Sequence, residues 1–271
     1  MTFDNKLYLA PLDKTEIRKA LDIATGTGIW AIELASEIPT AKVIGTDLSP
    51  IQPKLVPDNC RFPVDDAEDP WQYEQSFNLI HARMVAACFK SHHRVFQSAF
   101  ENLDPGGYLE LQDTSPFECI DDSENGTAFL NWRKLANEGV KSLGLDFDQV
   151  SQFGKNEALI KVLIVLPIAK APLYKSYMEE IGFVDVVQKK FAWPIGPWAK
   201  VAEMKKIGIW TREDVLQGMQ GWTMAALTRG LGMAKPVVEK LLVAVKKEIL
   251  SGKIHTYMPI WVVYGRKPET S

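Results

Sequence analysis

Several protein classes are excluded by what this 271-residue chain lacks. Its three cysteines, Cys60, Cys88 and Cys119, are odd in number, far apart and without C-x-x-C spacing. They suggest neither a disulfide framework nor a zinc site, and reduced thiols in a reducing compartment are expected. No Lys/Arg-rich run occurs, and the net charge is −3 with a pI near 5.9. A nucleic-acid partner, which calls for a basic stripe, is therefore not expected. The most apolar run, Val162 to Ala169, is broken by Pro167 and flanked by Lys161 and Lys170. At roughly half the length of a membrane span it reads as core or as a cover over a pocket, so no membrane partner is expected. The opening stretch "MTFDNKLYLAPLDKTE" has no apolar h-region of a signal peptide, and a cytoplasmic protein is expected. Of the four histidines, His92 and His93 adjoin on a polar stretch with no third ligand apparent, so they read as surface or capping residues and no metal is expected. His255, at the start of the last strand, reads as structural.

What is present is ordinary globular material, 46% hydrophobic and 24% charged, enough for one large α/β domain over 1–271. Short apolar runs alternate with helical patterns. "KALDIA" reads as a strand, Gly28–Ile38 as a helix stopped by Pro39, and "AKVIGTD", "NCRFPVDD", "FNLIHAR" and "GGYLELQD" as four further strands. A helix is expected between Met84 and Leu103, with "LDPGG" as the turn that ends it. This rhythm implies parallel strands with right-handed crossovers. Further on, Asn125–Leu143 and Pro172–Ile181 read as helices and "GFVDVVQKKFAW" as a long strand. A mostly helical Ala199–Gly252 follows, and "IHTYMPIWVVYGRKP" closes the chain as a strand. The 1–115 half carries the ligand-binding signals. The 116–271 half carries a helical lid over about 192–252, inserted between the last two strands.

Those signals begin in "ALDIATGTGIWAIELA", where a strand runs through a glycine turn into a helix. Such a turn brings backbone N–H groups and a helix N-terminus against a nucleotide-like ligand. Gly26-Thr27-Gly28-Ile29-Trp30-Ala31 satisfies the loose dinucleotide pattern, so a nicotinamide cofactor remains open. Three acidic features point elsewhere. Asp22 ends the first strand, where a carboxylate suits an ammonium group better than a diphosphate. Asp47, with Leu48 beside it, ends the second strand nineteen residues beyond Gly28, where it can accept both ribose hydroxyl protons. Asp65 and Asp66, followed by Ala67, come after the third strand, where a carboxylate can accept from an adenine amino group. Singly, each acid could be a turn former or helix cap; the order of turn, acid and acid pair at successive strand ends carries the reading.

At these residues the chain resembles a family. "LDIATGTGIWAIELA", "IGTDLSPIQP", "DDAEDPW", "FNLIHAR", "LDPGGYLELQD", "PIGPW" and "WVVYGRKP" are similar to the fungal class I S-adenosylmethionine-dependent methyltransferases of the LaeA/UMTA type. The resemblance covers nearly the whole chain. It implies a Rossmann-like, seven-stranded α/β sheet with a final antiparallel strand, S-adenosyl-L-methionine as cofactor, and roles mostly in fungal secondary metabolism. Carried over residue by residue, it places Asp22, Thr25, Gly26 and Gly28 in the cofactor turn, Asp47 on the ribose, and Asp66 with Ala67 on adenine. His81 would then face the methionine end. Two departures stand out: Ala24 replaces a usual Gly, and only about twenty residues precede the first strand.

Methyl transfer from a sulfonium needs a positioned nucleophile about 3 Å from the methyl carbon and exclusion of water, and needs a base only for a weakly acidic acceptor. His81 is the candidate base; its alternative is orienting the cofactor or bonding backbone. Arg83 could bind an anionic acceptor or pair with a carboxylate. Trp193 and Trp198, flanking "PIGP", could stack a flat acceptor or pack the lid. The first expectation is a methyltransferase acting on a small, apolar or aromatic secondary metabolite. Motivated by the two departures, the second is an accessory protein of a secondary-metabolite pathway that catalyses or steers a non-methylating step. A regulator working through protein partners is the third, and a dinucleotide oxidoreductase the last.

Overall fold

A computed structural model describes residues 3, 6–86, 88–143 and 170–269. The apolar run Val162–Ala169 lies outside the described residues. The chain divides into two compact units. The first comprises Thr2–Asp113, Ala171–Lys190 and Trp261–Ser271, and the second Thr114–Lys170 and Phe191–Ile260.

The first unit is built on β1 (Lys19–Ile23), β2 (Lys42–Thr46), β3 (Cys60–Arg61) and β4 (Phe77–Arg83). β1 lies between β2 and β4, and β3 is on the far side of β2, all in parallel pairs. β1, β2 and β4 read as continuous apolar runs because strands between two helical layers are buried on both faces. β3 is only two residues long, since "FPV" follows at once and Pro63 has no N–H for a ladder. Helix α1 (Ile29–Glu37) starts at Gly28, whose φ of 79° only glycine adopts readily, and stops before Pro39.

Helix α2 (His92–Asn102) begins eight residues later than the sequence pattern suggests. Met84 adopts φ 57°, outside any helix, and Ser91 supplies the cap by accepting from the Arg94 N–H at 3.3 Å. "LDPGG" is not a turn. It opens β5 (Leu103–Thr114), where the register against β4 shifts between Phe77 and Leu79 and absorbs Pro105 as an irregularity. His92, expected at the surface, is buried: its Nε2 is 3.1 Å from the Val85 carbonyl and its ring meets Phe89, Phe96 and Tyr174.

Helix α4 (Tyr174–Ile181) follows α3 (Ala128–Ser142) in chain order, then β7 (Val184–Pro194), and the last strand is β8 (Thr256–Arg266). The sheet runs β3-β2-β1-β4-β5-β8, with β7 beside β8 and a two-residue β6 (Glu118–Cys119) antiparallel to β8. β8 is antiparallel to β5: Gly106 and Gly107 bond Lys267 at one end, and Ser115 bonds Pro259 at the other. The expected seven-stranded sheet with a final antiparallel strand is present, and β6 is an eighth strand that its two residues did not advertise. The core of the first unit packs Leu21, Ile23, Ile80, Leu109 and Val263 with Phe96, Tyr174 and Met178. Each such side chain contributes about 1.5–3 kcal/mol on burial.

The second unit holds α3, α5 (Ala202–Ala225), a π-helical turn (Ala226–Gly230) and α6 (Lys235–Ser251). α5 to α6 fall between β7 and β8 in sequence, as the insertion pattern suggests. Trp132 donates its indole N–H to Thr223 Oγ1 at 2.7 Å, and a Cβ on Gly139 would stand 2.3 Å from the Ala226 carbonyl oxygen. Glu248 on α6 accepts the Ala128 and Phe129 N–H groups at 3.0 and 2.8 Å, satisfying the open first turn of α3. Among the described residues no helix is long and apolar enough to cross a membrane.

Candidate active site

Asp22, Thr25, Gly26, Gly28, Asp47, Leu48, Asp65, Asp66, Ala67, His81 and Arg83 all belong to the first unit, at or just beyond the carboxyl ends of β1 to β4. The turn after β1 is held from both sides. The Thr25 N–H donates to the Thr46 carbonyl at 2.8 Å, and Gln52 Nε2 donates to the Gly26 carbonyl at 2.7 Å. Three residues of this turn are left-handed: Ala24 at 51°, Gly26 at 58° and Gly28 at 79°.

The two glycines serve different neighbours. A Cβ on Gly26 would meet no heavy atom within 4 Å, so that side of the turn is open. A Cβ on Gly28 would lie 2.5 Å from the Phe62 ring, which also closes on Gly45 at 2.6 Å. Gly28 is thus required twice, by its left-handed backbone and by the ring of Phe62, a residue unremarked in the sequence.

Asp47 accepts the Gly26 N–H at 2.8 Å on Oδ2 and the Ser49 N–H at 2.9 Å on Oδ1. A carboxylate offers about four lone-pair sites, so each oxygen keeps one for a ligand hydroxyl. Val64 bridges Asp47 in parallel, and the Asp65 N–H donates to the Asp47 carbonyl at 3.1 Å, which brings the second and third acidic positions together. Asp66 Oδ1 accepts the Glu68 N–H at 2.9 Å in a tight turn, and Trp71 donates to the Ala67 carbonyl at 3.0 Å. Tyr73 hydrogen-bonds Asp65; burial, reinforced by that carboxylate, pushes its phenol up to about 12. Leu48 and Val64 are exposed beside these acids.

Asp22 is buried, with one partner on each carboxylate oxygen. One oxygen meets His81 Nδ1 at 2.7 Å, and the other accepts the Thr25 hydroxyl at 2.5 Å. His81 is entirely enclosed, with the Trp30 ring stacked on it at 3.9 Å and 4°. Its Nε2 has no hydrogen-bond partner. The ring therefore holds Asp22 and presents no atom to solvent. Arg83 closes β4 and is exposed.

Trp193 and Trp198 belong to the second unit. Trp198 donates to the Thr256 carbonyl at 3.0 Å with its ring 5.4 Å from His255, while the buried Trp193 Nε1 has no partner. Among the described residues no group of three or more His, Cys, Asp or Glu side chains could hold a metal ion. Two functional neighbours escaped sequence reading besides Phe62: Trp30, and the fully buried Glu110 of β5. A glutamate inside the apolar alternation "YLELQD" was the available signal for the second.

The family model described as a methyltransferase domain matches residues 2–148. A probable methyltransferase of Emericella nidulans, tdiE, is 31% identical over 99% of this chain and 78% of its own length. The secondary metabolism regulator LAE1 of Gibberella fujikuroi is 30% identical over 98% of this chain and 80% of its own. Among solved structures, the phosphoethanolamine N-methyltransferase 2 of Haemonchus contortus in complex with S-adenosyl-L-methionine matches 93% of this chain and 49% of its own. Its TM-score is 0.50 at 16% identity, a likeness of fold. With a family model over more than half its length and a relative aligned along nearly all of it, the chain belongs to the methyltransferase family, among the fungal LaeA-like class I S-adenosylmethionine-dependent members.

Proposed function

We propose that this methyltransferase uses S-adenosyl-L-methionine to methylate a small apolar or aromatic secondary metabolite. One observation carries the choice of cofactor: the open Gly26 turn is ringed by the carboxylates of Asp22, Asp47 and the Asp65–Asp66 pair at three successive strand ends. Negative side chains there oppose a pyrophosphate and suit a ribose diol, an adenine amino group and an ammonium. Asp47 would take the ribose hydroxyls, Asp66 and Ala67 the adenine edge, and Leu48 and Val64 the base faces. Asp22, held by His81 and Thr25, would take the methionine ammonium.

The cofactor supplies a methyl carbon on a sulfonium, open to in-line displacement. The chain's own contribution is to orient and to exclude water. In this reading His81 fixes the direction of the Asp22 carboxylate and takes no proton from the acceptor, because its ring is sealed by Trp30. Arg83 and Met84, exposed at the end of β4, would border the acceptor.

Isothermal titration with S-adenosylmethionine and S-adenosylhomocysteine tests this. Micromolar binding is expected, and Asp47→Ala should weaken it roughly tenfold to a hundredfold, as charge-assisted hydrogen bonds of about 1.5–3 kcal/mol would. No heat with either ligand, or tight binding of a nicotinamide dinucleotide instead, overturns it. The name of the LAE1 relative supports a second reading, a regulator acting through protein partners. Migration solely as a monomer in cell extracts would count against that.

A further inference from the structure

Across three neighbouring strands Asp22, His81 and Glu110 stand in register, Asp22 opposite His81 and His81 opposite Glu110. All three are buried, with His81 and Glu110 at 0% exposure. Same-register residues on adjacent parallel strands point to one face about 4.8 Å apart. Asp22 is bonded to His81, and Glu110 feels His81 electrostatically.

The cover over this row is the segment Leu7–Ala10. Glu110 Oε2 accepts the Leu9 and Ala10 N–H groups at 2.7 and 2.6 Å, and its Oε1 accepts Gln112 Nε2 at 2.8 Å. The Leu7 carbonyl accepts Trp30 Nε1 at 2.8 Å and Gln112 Nε2 at 3.0 Å. The segment is thus strapped down by the same glutamate that ends the row, and by the tryptophan that seals His81.

Two carboxylates flank one imidazole, which carries at most one positive charge. With both acids ionised the row is therefore negative in either state of the ring. Tyr8 and Tyr264, which also feel Glu110, are phenols and supply no positive charge. Surplus charge shut away from water is costly, and burial does push the Glu110 carboxyl up. Undocking the strap would return water to Glu110, so an uncompensated row favours the open strap. A ligand of net positive charge bound beside Asp22 compensates the row, whereas a zwitterion of no net charge does so less.

We infer that Glu110 couples docking of the Leu7–Ala10 strap to the net charge of the ligand bound beside Asp22, so that the strap closes more firmly over the net-positive sulfonium cofactor than over its zwitterionic product. This rests on the cofactor reading above and adds to it a charge-sensitive cover, with Glu110 as a positioning residue. S-adenosylmethionine carries one net positive charge more than S-adenosylhomocysteine and differs from it by a single methyl group, so the two compare charge at nearly constant shape.

Hydrogen exchange at the Leu9 and Ala10 amides, with each ligand at saturation, reads the strap, and calorimetry reads affinity. In the wild type, S-adenosylmethionine should slow exchange at these amides at least tenfold more than S-adenosylhomocysteine does. In Glu110→Gln that difference should fall below threefold, and the affinity ratio of the two ligands should shift toward the product by roughly tenfold. His81→Asn, which keeps a donor toward Asp22, leaves the strap's own bonds intact and removes the one member of the row able to carry positive charge, should keep or enlarge the difference; it serves if Glu110→Gln fails to fold. Equal protection by both ligands in the wild type overturns the coupling alone. An undiminished difference in Glu110→Gln, or its loss in His81→Asn, does the same. Absence of binding heat with either ligand overturns the cofactor reading and the coupling with it.

Discussion

At the scale of single residues, the glycine turn separates two roles that look alike in sequence. Gly26→Ala has space in the fold but sets a methyl group on the open side of the turn. It should cost little more than the strain of a left-handed alanine, about 1–2 kcal/mol, and weaken cofactor binding more than tenfold by titration. Gly28→Ala meets Phe62 and should destabilise by about 1–3 kcal/mol in urea, with Phe62→Leu recovering part of the loss. If Phe62→Leu recovered none of the loss, the left-handed backbone at Gly28 alone would account for it. Ala24 already carries the strain that glycine avoids, at φ 51°. Ala24→Gly should therefore raise stability by up to about 1 kcal/mol, less what glycine adds to the entropy of the unfolded chain. The motif displays both glycines, yet the residue that makes Gly28 necessary lies more than thirty positions away and has no periodic signal.

At the scale of elements, helix ends explain where the pattern misled. Twenty residues of helical composition from Met84 to Leu103 yield an eleven-residue α2, because Met84 is left-handed and Ser91 caps late. The helix–strand–helix order was legible because buried parallel strands leave continuous apolar runs. The short β6 and the strand character of "LDPGG" were not, since pairing with β8 and β4 decides them. α3 depends on a partner element for its first turn. Removing the Glu248 carboxylate with Glu248→Ala should cost about 1–2 kcal/mol. A urea midpoint that drops in this variant and is unchanged in a variant of the exposed Glu239 would confirm a cap and exclude a general charge effect.

At the scale of the whole molecule, the two units should answer acid in opposite senses. In the second, hydrogen bonds from Ser123 and His255 hold the Asp121 carboxyl well below its ordinary 3.8. Its stabilisation is present above that value and is lost as pH falls through the lower folded one. In the first, the Glu110 carboxyl is raised above 4.5 by burial, so the native state binds the extra proton between 4.5 and the raised value. Stability there falls as pH rises through that window and recovers on acidification. Hydrogen exchange followed for each unit between about pH 2 and 7, corrected for the intrinsic exchange rate, checks this. Glu110→Gln should flatten the response of the first unit and leave the second unchanged.

The sequence by itself determined the strand rhythm, the glycine turn and the three acidic positions. Each is a local matter of apolar periodicity, φ freedom or placement at a strand's end. Tertiary structure alone decided that Asp22 is clasped by His81, that His81 lies under Trp30, and that Glu110 straps down Leu7–Ala10. Those partners stand as much as a hundred residues apart along the chain. Only the register of adjacent strands, fixed by backbone hydrogen bonds across the sheet, makes them neighbours.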